Sequence, residues 1–274
     1  KKTNDYVWLE STEGLFHKEE GEHTIIGIAR SIHNQKVAEQ EVMNSNHELE
    51  QFVYSVSHDL RAPVRHIISY TQLLKLAEED KLSQTGNERL GWVMGASKRL
   101  GEMIDDLLAY SRNRNAKPHK SWVNSHDLVL EILTEFKESH QQQHICWELD
   151  AIPNCMADSR MLRLVWENLI SNAVKYSSKK EKTFISIKAE ERGEEIIFSI
   201  HDNGAGFDSA LANKLFTVFQ RLHNREEFPG YGIGLANVAR LVQHHEGRIW
   251  GESVQGEGAS FYFSIPKQQQ HKFA

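Results

Sequence analysis

Between Gln35 and Glu79 the chain holds no glycine and a single proline, Pro63, and its apolar residues recur every seven positions. With Asn46, Val53, Leu60, Ile67 and Leu74 at position a, the d positions fall to Val42, Leu49, Val56, Pro63, Tyr70 and Ala77. A periodic stretch of this length without internal caps reads as a coiled coil or a helical bundle. Asn46 at an a position favours one register and a parallel pairing, at some cost in stability. After a polar turn over 78–86, a second periodic stretch carries Leu90, Val93, Ser97, Leu100, Ile104 and Leu107. Two such helices joined by a short turn make a hairpin with one apolar stripe uncovered. Pairing of two copies into a dimeric four-helix bundle would bury that stripe. A monomeric hairpin folded onto the next domain is the alternative.

The rest of the chain has a different texture, and 274 residues leave room for more than one domain. Upstream, residues 6–10 and 24–29 read as two strands, with Glu13-Gly14 and Glu20-Gly21-Glu22 in the connection. Two strands alone are marginal in water and call for a partner sheet. Downstream, residues 112–120 are polar, carry Pro118 and read as a linker. Helices and short strands then alternate. Asn124 and Asp158 are placed to cap helices running to about Gln141 and Ser177. Strands are expected at 145–149, 183–189, 195–202, 248–252 and 259–265, and helical segments near 209–219 and 234–245. This order predicts an α/β two-layer sandwich with a mixed sheet. Residues 268–274 read as a tail.

Composition narrows the function. Lys and Arg number 32 against 38 Asp and Glu, a net charge of −6 that argues against a sequence-independent grip on nucleic acid. No apolar run approaches the roughly 20 residues that span a bilayer, and no apolar signal segment follows Lys1-Lys2. Two cysteines, Cys146 and Cys155, make no disulfide framework, so a reducing, cytoplasmic setting is expected.

Four clusters carry chemistry. His58, in Ser57-His58-Asp59-Leu60-Arg61-Ala62-Pro63, falls at heptad position f, the outermost face, where a core histidine would not sit. The carboxylate of Asp59 can fix its tautomer or accept its proton. Pro63 bends or strains the helix beside it. On the helix opened by Asp158, Asn168, Asn172, Lys175 and Tyr176 fall on one stripe, beside an apolar stripe of Leu162, Val165, Leu169 and Ala173. Asparagine is a poor helix-interior residue, and two of them one turn apart suggest ligand contact rather than a merely solvated face. Amide oxygens suit magnesium, a lysine suits phosphate, and a tyrosine ring can stack on a base. Asp202-Asn203-Gly204-Ala205-Gly206-Phe207 follows a strand, and Gly230-Tyr231-Gly232-Ile233-Gly234-Leu235 opens a helix as a phosphate cradle does. Between them, Phe216, Phe219 and Arg221 lie on a stretch long enough to fold over a nucleotide as a lid. His244-His245 ends a helix and reads as a partner of its dipole. His140, His144 and His223 show no metal spacing.

Taken in order, these segments resemble the histidine, asparagine, first-glycine, phenylalanine and second-glycine boxes of sensor histidine kinases. The resemblance implies a PAS-like remnant over 1–33, a dimerisation and phosphotransfer domain over 34–115, and a catalytic ATP-binding domain over 116–267, of the type shared with gyrase and MutL. It implies His58 as phosphoacceptor and Asp59 as its acidic partner. It implies Asn172 as the magnesium ligand, with Asn168, Lys175, Tyr176, Asp202, Gly204, Gly206, Arg221, Gly230, Gly232, Gly234 and Leu235 around ATP. A homodimer, an upstream sensor domain and a response regulator receiver domain are the implied partners. Three positions depart from the family. Ser31 stands where Asp is usual, Tyr231 where a small residue is usual, and Ala62 where many members have Thr or Asn. The rival readings are a nucleotide-binding pseudokinase scaffold and a related ATPase clamp.

Overall fold

The computed structural model describes residues 7–17, 23–78, 81–113, 117–139, 144–223, 227–228 and 230–267. The chain divides into two units, Lys1–Val56 and Ser57–Ala274. In the first, β1 (Leu9–His17) and β2 (His23–Ser31) form an antiparallel hairpin. Glu13 and Gly14, expected in the connection, instead pair with Gly27 and Ile26 inside it, so the strand runs on through them. The expected turn at Glu20-Gly21-Glu22 lies outside the described residues, as do the tail over 268–274 and the side chains of Val42, Asn46, Leu49 and Val53.

The long helix is α1 (His33–Glu78), and it continues through Pro63. Proline has no N–H to give the carbonyl of Asp59, one turn back, so that carbonyl is left over beside His58. In the second unit α1 pairs with α2 (Gln84–Asn113). Their shared core is small: Val64, Ile104 and Leu108 are buried and Ile68 packs on them, with Ser57, Leu90 and Ser97 also covered. The heptad a residues face elsewhere. Leu60, Ile67 and Leu74 on α1, and Val93 and Leu100 on α2, are each more than 40% exposed. The hairpin therefore closes on a neighbouring stripe and leaves the a/d stripe uncovered.

Beyond the hairpin lies the mixed sheet, in the order β4 (Ile145–Leu149), β6 (Thr183–Arg192), β7 (Glu195–Asp202), β9 (Gly258–Pro266), β8 (Ile249–Val254). Only the β4–β6 pair is parallel. The core formed with α3 (Ser125–Ser139), α4 (Ser159–Ser177) and α5 (Gly234–His244) takes the alternate residues Ile196, Phe198 and Ile200 of β7 and Phe261, Phe263 and Ile265 of β9. Trp166, fully buried on α4, meets Phe263 and Phe198 edge-on at 5.1 and 5.9 Å between ring centroids. That anchor sets which side of α4 faces away from the sheet.

Two strands escaped the sequence reading, β3 (Ser121–Val123) and β5 (Cys155–Ala157), which form a separate antiparallel ribbon. Each is three residues long, too short to show a period. The helix expected near 209–219 shrinks to one stretch of 3-10 helix, Ser209–Lys214, capped by Asp208.

Asp158 caps α4 as its sequence context indicates, its Oδ1 accepting from the N–H groups of Arg160 and Met161 at 3.0 and 3.1 Å, while Oδ2 accepts from His119 N–H at 2.9 Å. Burial alone would raise this carboxyl, but the three N–H donors outweigh it and hold the group below its ordinary value. His245, at the C-terminal end of α5 as expected, does meet a carbonyl of its last turn, but it does so buried, at 2% exposure. Its Nδ1 lies 2.7 Å from Leu241 O and its Nε2 accepts the Asp158 N–H at 3.0 Å, which requires the neutral ring protonated at Nδ1. Burial pushes its pKa down accordingly.

Candidate functional site

The side of α4 turned away from Trp166 lines a cleft of about 250 Å³, whose other walls come from residues within 215–223 and 230–235 and from Asp202 at the end of β7. Eleven of the residues singled out in the sequence meet there: Asn168, Asn172, Lys175, Tyr176, Asp202, Gly206, Arg221, Gly230, Gly232, Gly234 and Leu235. Gly204 is not at the wall. It forms the turn behind it, donating its N–H to Asp202 Oδ1 at 2.9 Å while Ala205 N–H reaches Tyr176 O at 3.1 Å. The turn thereby ties the end of β7 to the end of α4.

Two glycines are required by geometry. Gly206 has φ +62°, and a Cβ on it would lie 2.2 Å from Val254 O. Gly232 has φ +73°, and its Cβ would meet Gln220 O at 2.4 Å. Phe219 N–H donates to Gly232 O at 2.9 Å, so the phenylalanine segment and the second glycine run are held together. Arg221 reinforces that bond, donating to the carbonyls of Gly230 at 2.7 Å and Phe228 at 2.6 Å.

The electrostatics are those of a desolvated polar cleft. Lys175 donates to Asn172 Oδ1 at 3.0 Å, and its Nζ lies 4.3 Å from the Tyr176 ring centroid. Burial, with the nearby Arg221 charge, lowers its pKa to about 8. Asp202, 2% exposed, is pushed up to about 6 by burial, against the N–H bonds from Gly204 and Ala259. Tyr176 is raised, again mainly by burial, and its ring packs against His223 and Phe228 at 5.3 and 5.1 Å. Asn168 turns its amide N–H₂ to Leu164 O at 2.8 Å, leaving its oxygen toward Gly234.

His58 and Asp59 stand apart from the cleft, on the hairpin. Both side chains are largely exposed, with His58 Nδ1 3.2 Å from Asp59 Oδ1. Arg61 is held by α2, its Nε donating to Asp105 Oδ1 at 3.0 Å. Several cleft residues were not foreseen, Ser171 and Asp106 among the polar ones. Ser171 follows from the helical stripe once its breadth is known. Asp106 comes from α2, more than 60 positions before Asn168, and no motif marks it.

Comparison with known proteins gives this arrangement its class. Residues 48–116 match the His Kinase A (phospho-acceptor) domain, and residues 157–269 match the histidine kinase-, DNA gyrase B- and HSP90-like ATPase. These two domains, in this order, are those of a protein histidine kinase. It is 37% identical over 222 residues to cyanobacterial phytochrome A of Nostoc sp., covering 81% of this chain and 29% of that protein. It is 30% identical over 251 residues to the sensor histidine kinase WalK of Bacillus subtilis, covering 86% and 39%. The chain thus spans less than a third of the phytochrome's length. In fold it resembles full-length ShkA, crystallised in complex with AMPPNP, at a TM-score of 0.61 and 23% identity over 79% of this chain and 45% of that one. No helix among the described residues is long and apolar enough to cross a membrane.

Proposed function

We propose that the chain binds ATP with magnesium in the cleft, phosphorylates itself on His58, and passes the phosphoryl group to an aspartate on the receiver domain of a response regulator. The observation that carries this reading is an exposed histidine with an adjacent carboxylate, on a hairpin continuous in sequence with a desolvated, glycine-walled cleft. In that reading the Asp202 carboxylate accepts from the adenine amino group, the Tyr176 ring lies against the base, and Lys175 with Arg221 faces the phosphates. The Asn172 amide oxygen is of the type a hard cation takes, and it accepts from the Lys175 ammonium. Magnesium held there would neutralise charge on the triphosphate oxygens.

The contact between His58 and Asp59 supports a division of roles between the two ring nitrogens. In that reading Nδ1–H donates to Asp59 and Nε2 carries the lone pair. Nε2 attacks the γ-phosphorus, the bond to the β,γ-bridging oxygen breaks, ADP departs, and Asp59 takes the Nδ1 proton from the resulting imidazolium. Catalysis comes from positioning and charge neutralisation.

The same reading divides the chain into a PAS-like remnant over 1–33, a phosphotransfer domain over 34–115, a catalytic domain over 116–267 and a tail over 268–274. The uncovered stripe of Leu60, Ile67, Leu74, Val93 and Leu100 supports a homodimer joined through a four-helix bundle, with α1 beginning as a coiled coil below an upstream sensor, in the cytoplasm. The test is incubation with γ-labelled ATP. Label should attach to the protein, survive base and be lost in acid, as a phosphoramidate is, and His58→Gln should abolish it. Label that persists in that variant refutes the assignment.

A further inference from the structure

One face of α2 is turned to the nucleotide cleft. Arg99, Asp106 and Tyr110 are spaced by seven and four residues, which places them on one helical stripe. Each has business on the catalytic side. The Tyr231 hydroxyl, on the second glycine run, donates to Arg99 O. Arg240 of α5 donates from Nη1 to Tyr110 O at 2.9 Å and from Nη2 to Tyr110 Oη at 2.6 Å, with its guanidinium 3.7 Å from the Tyr110 ring centroid. Between these two ties, Asp106 stands in the wall of the cleft with Asn172, Lys175 and Arg221.

An acid in this place is unfavourable on its own helix. Burial raises its pKa, and Glu102 and Asp105 add to the rise, while the Lys175 ammonium opposes it. Lys175 in turn gains from Asp106 part of what burial removes from its charge. Each therefore stabilises the ionised form of the other. The triphosphate of ATP requires the same ammonium and brings negative charge to the same wall.

We infer that Asp106 makes the α2 face a built-in competitor for the ATP site: with the hairpin docked through Arg240–Tyr110 and Tyr231–Arg99, the Asp106 carboxylate occupies the phosphate end and opposes the nucleotide. Docking and Mg·ATP binding then oppose one another by equal factors, because linkage between two equilibria is reciprocal. Tyr231, larger than is usual at its family position, is explained by the same contact, since no smaller side chain extends a hydroxyl as far as Arg99 O.

This inference rests on the ATP reading above, and the experiment separates the two. Affinity for a non-hydrolysable ATP analogue with magnesium is measured by calorimetry on the whole chain. Asp106→Asn should tighten binding by about 5- to 20-fold, the size expected for removing one charge near a phosphate in a partly screened cleft. Arg240→Ala, which unties the helix without touching the cleft's charge, should tighten it in the same direction. In the Arg240→Ala background, Asp106→Asn should add little, because the carboxylate has already left. Unchanged or weaker binding by Asp106→Asn overturns the inference alone, as does a full effect that persists without Arg240. No analogue binding by the original chain or any variant overturns both readings together.

Discussion

The Asp202 carboxylate makes the apo protein less stable at neutral pH than it needs to be, and the cost can be worked from its environment. The group is 2% exposed and its pKa rises from the ordinary carboxylate value to about 6. Roughly two units at 1.36 kcal/mol each amount to about 3 kcal/mol. The sign follows from proton counting. Between about pH 4 and pH 6 the folded state keeps a proton that the unfolded state has lost, so stability falls as pH rises through that window and levels off above it. Asp202→Asn removes the titration while retaining an oxygen that accepts from Gly204 or Ala259. Above pH 7 the variant should be more stable by about 1–3 kcal/mol, part of the gain being lost with the second acceptor. The advantage should shrink to nothing near pH 4. Denaturant melts of both proteins without nucleotide, from pH 4 to 8, measure the difference directly. Parallel stability curves, or an original protein more stable than the variant at pH 8, would refute the reasoning. If the carboxylate also accepts from adenine, the stabilised variant should bind the analogue far more weakly, so stability and binding move in opposite directions.

Three further outcomes are expected. Trp166→Ala, which empties a fully buried site between Phe198 and Phe263, should destabilise the catalytic half by about 3–5 kcal/mol in denaturant melts while leaving the α1–α2 pair helical by circular dichroism. Asn172→Ala should keep the fold and lose magnesium-dependent nucleotide affinity by about tenfold or more, and calorimetry showing unchanged affinity would return the α4 stripe to a solvated face. Ala62 has no side-chain hydrogen-bonding group one turn from His58, and Arg61 is engaged by Asp105, so this chain should dephosphorylate its regulator weakly. Ala62→Thr should raise that rate severalfold without abolishing His58 labelling, and rapid phosphate release by the unaltered protein would contradict the idea.

Local rules carry far along this chain. The seven-residue repeat, the absence of glycine between Gln35 and Glu79 and the caps at Asn124 and Asp158 act within one or two turns, so α1, α3 and α4 can be read almost residue by residue. The amide stripe on α4 is equally legible, because helical period alone brings Asn168, Asn172, Lys175 and Tyr176 to one side. What the sequence could not show is which stripe of α1 meets α2. Several stripes are apolar enough, and only the packing of Val64 against Ile104 and Leu108 leaves Leu60, Ile67 and Leu74 outside. His245 reads from the sequence only as a partner of its helix's dipole; the fold adds the Asp158 N–H, a partner 87 positions away. Asp106 is the extreme case. Nothing near it in sequence distinguishes it from Glu102 or Asp105, and its place in the cleft comes from long-range contacts that bring α2 against α5 and the second glycine run. Residue type and period determine what each element is. Where a side chain's charge is desolvated, and against which partner, is settled only when segments distant in sequence exclude water between them.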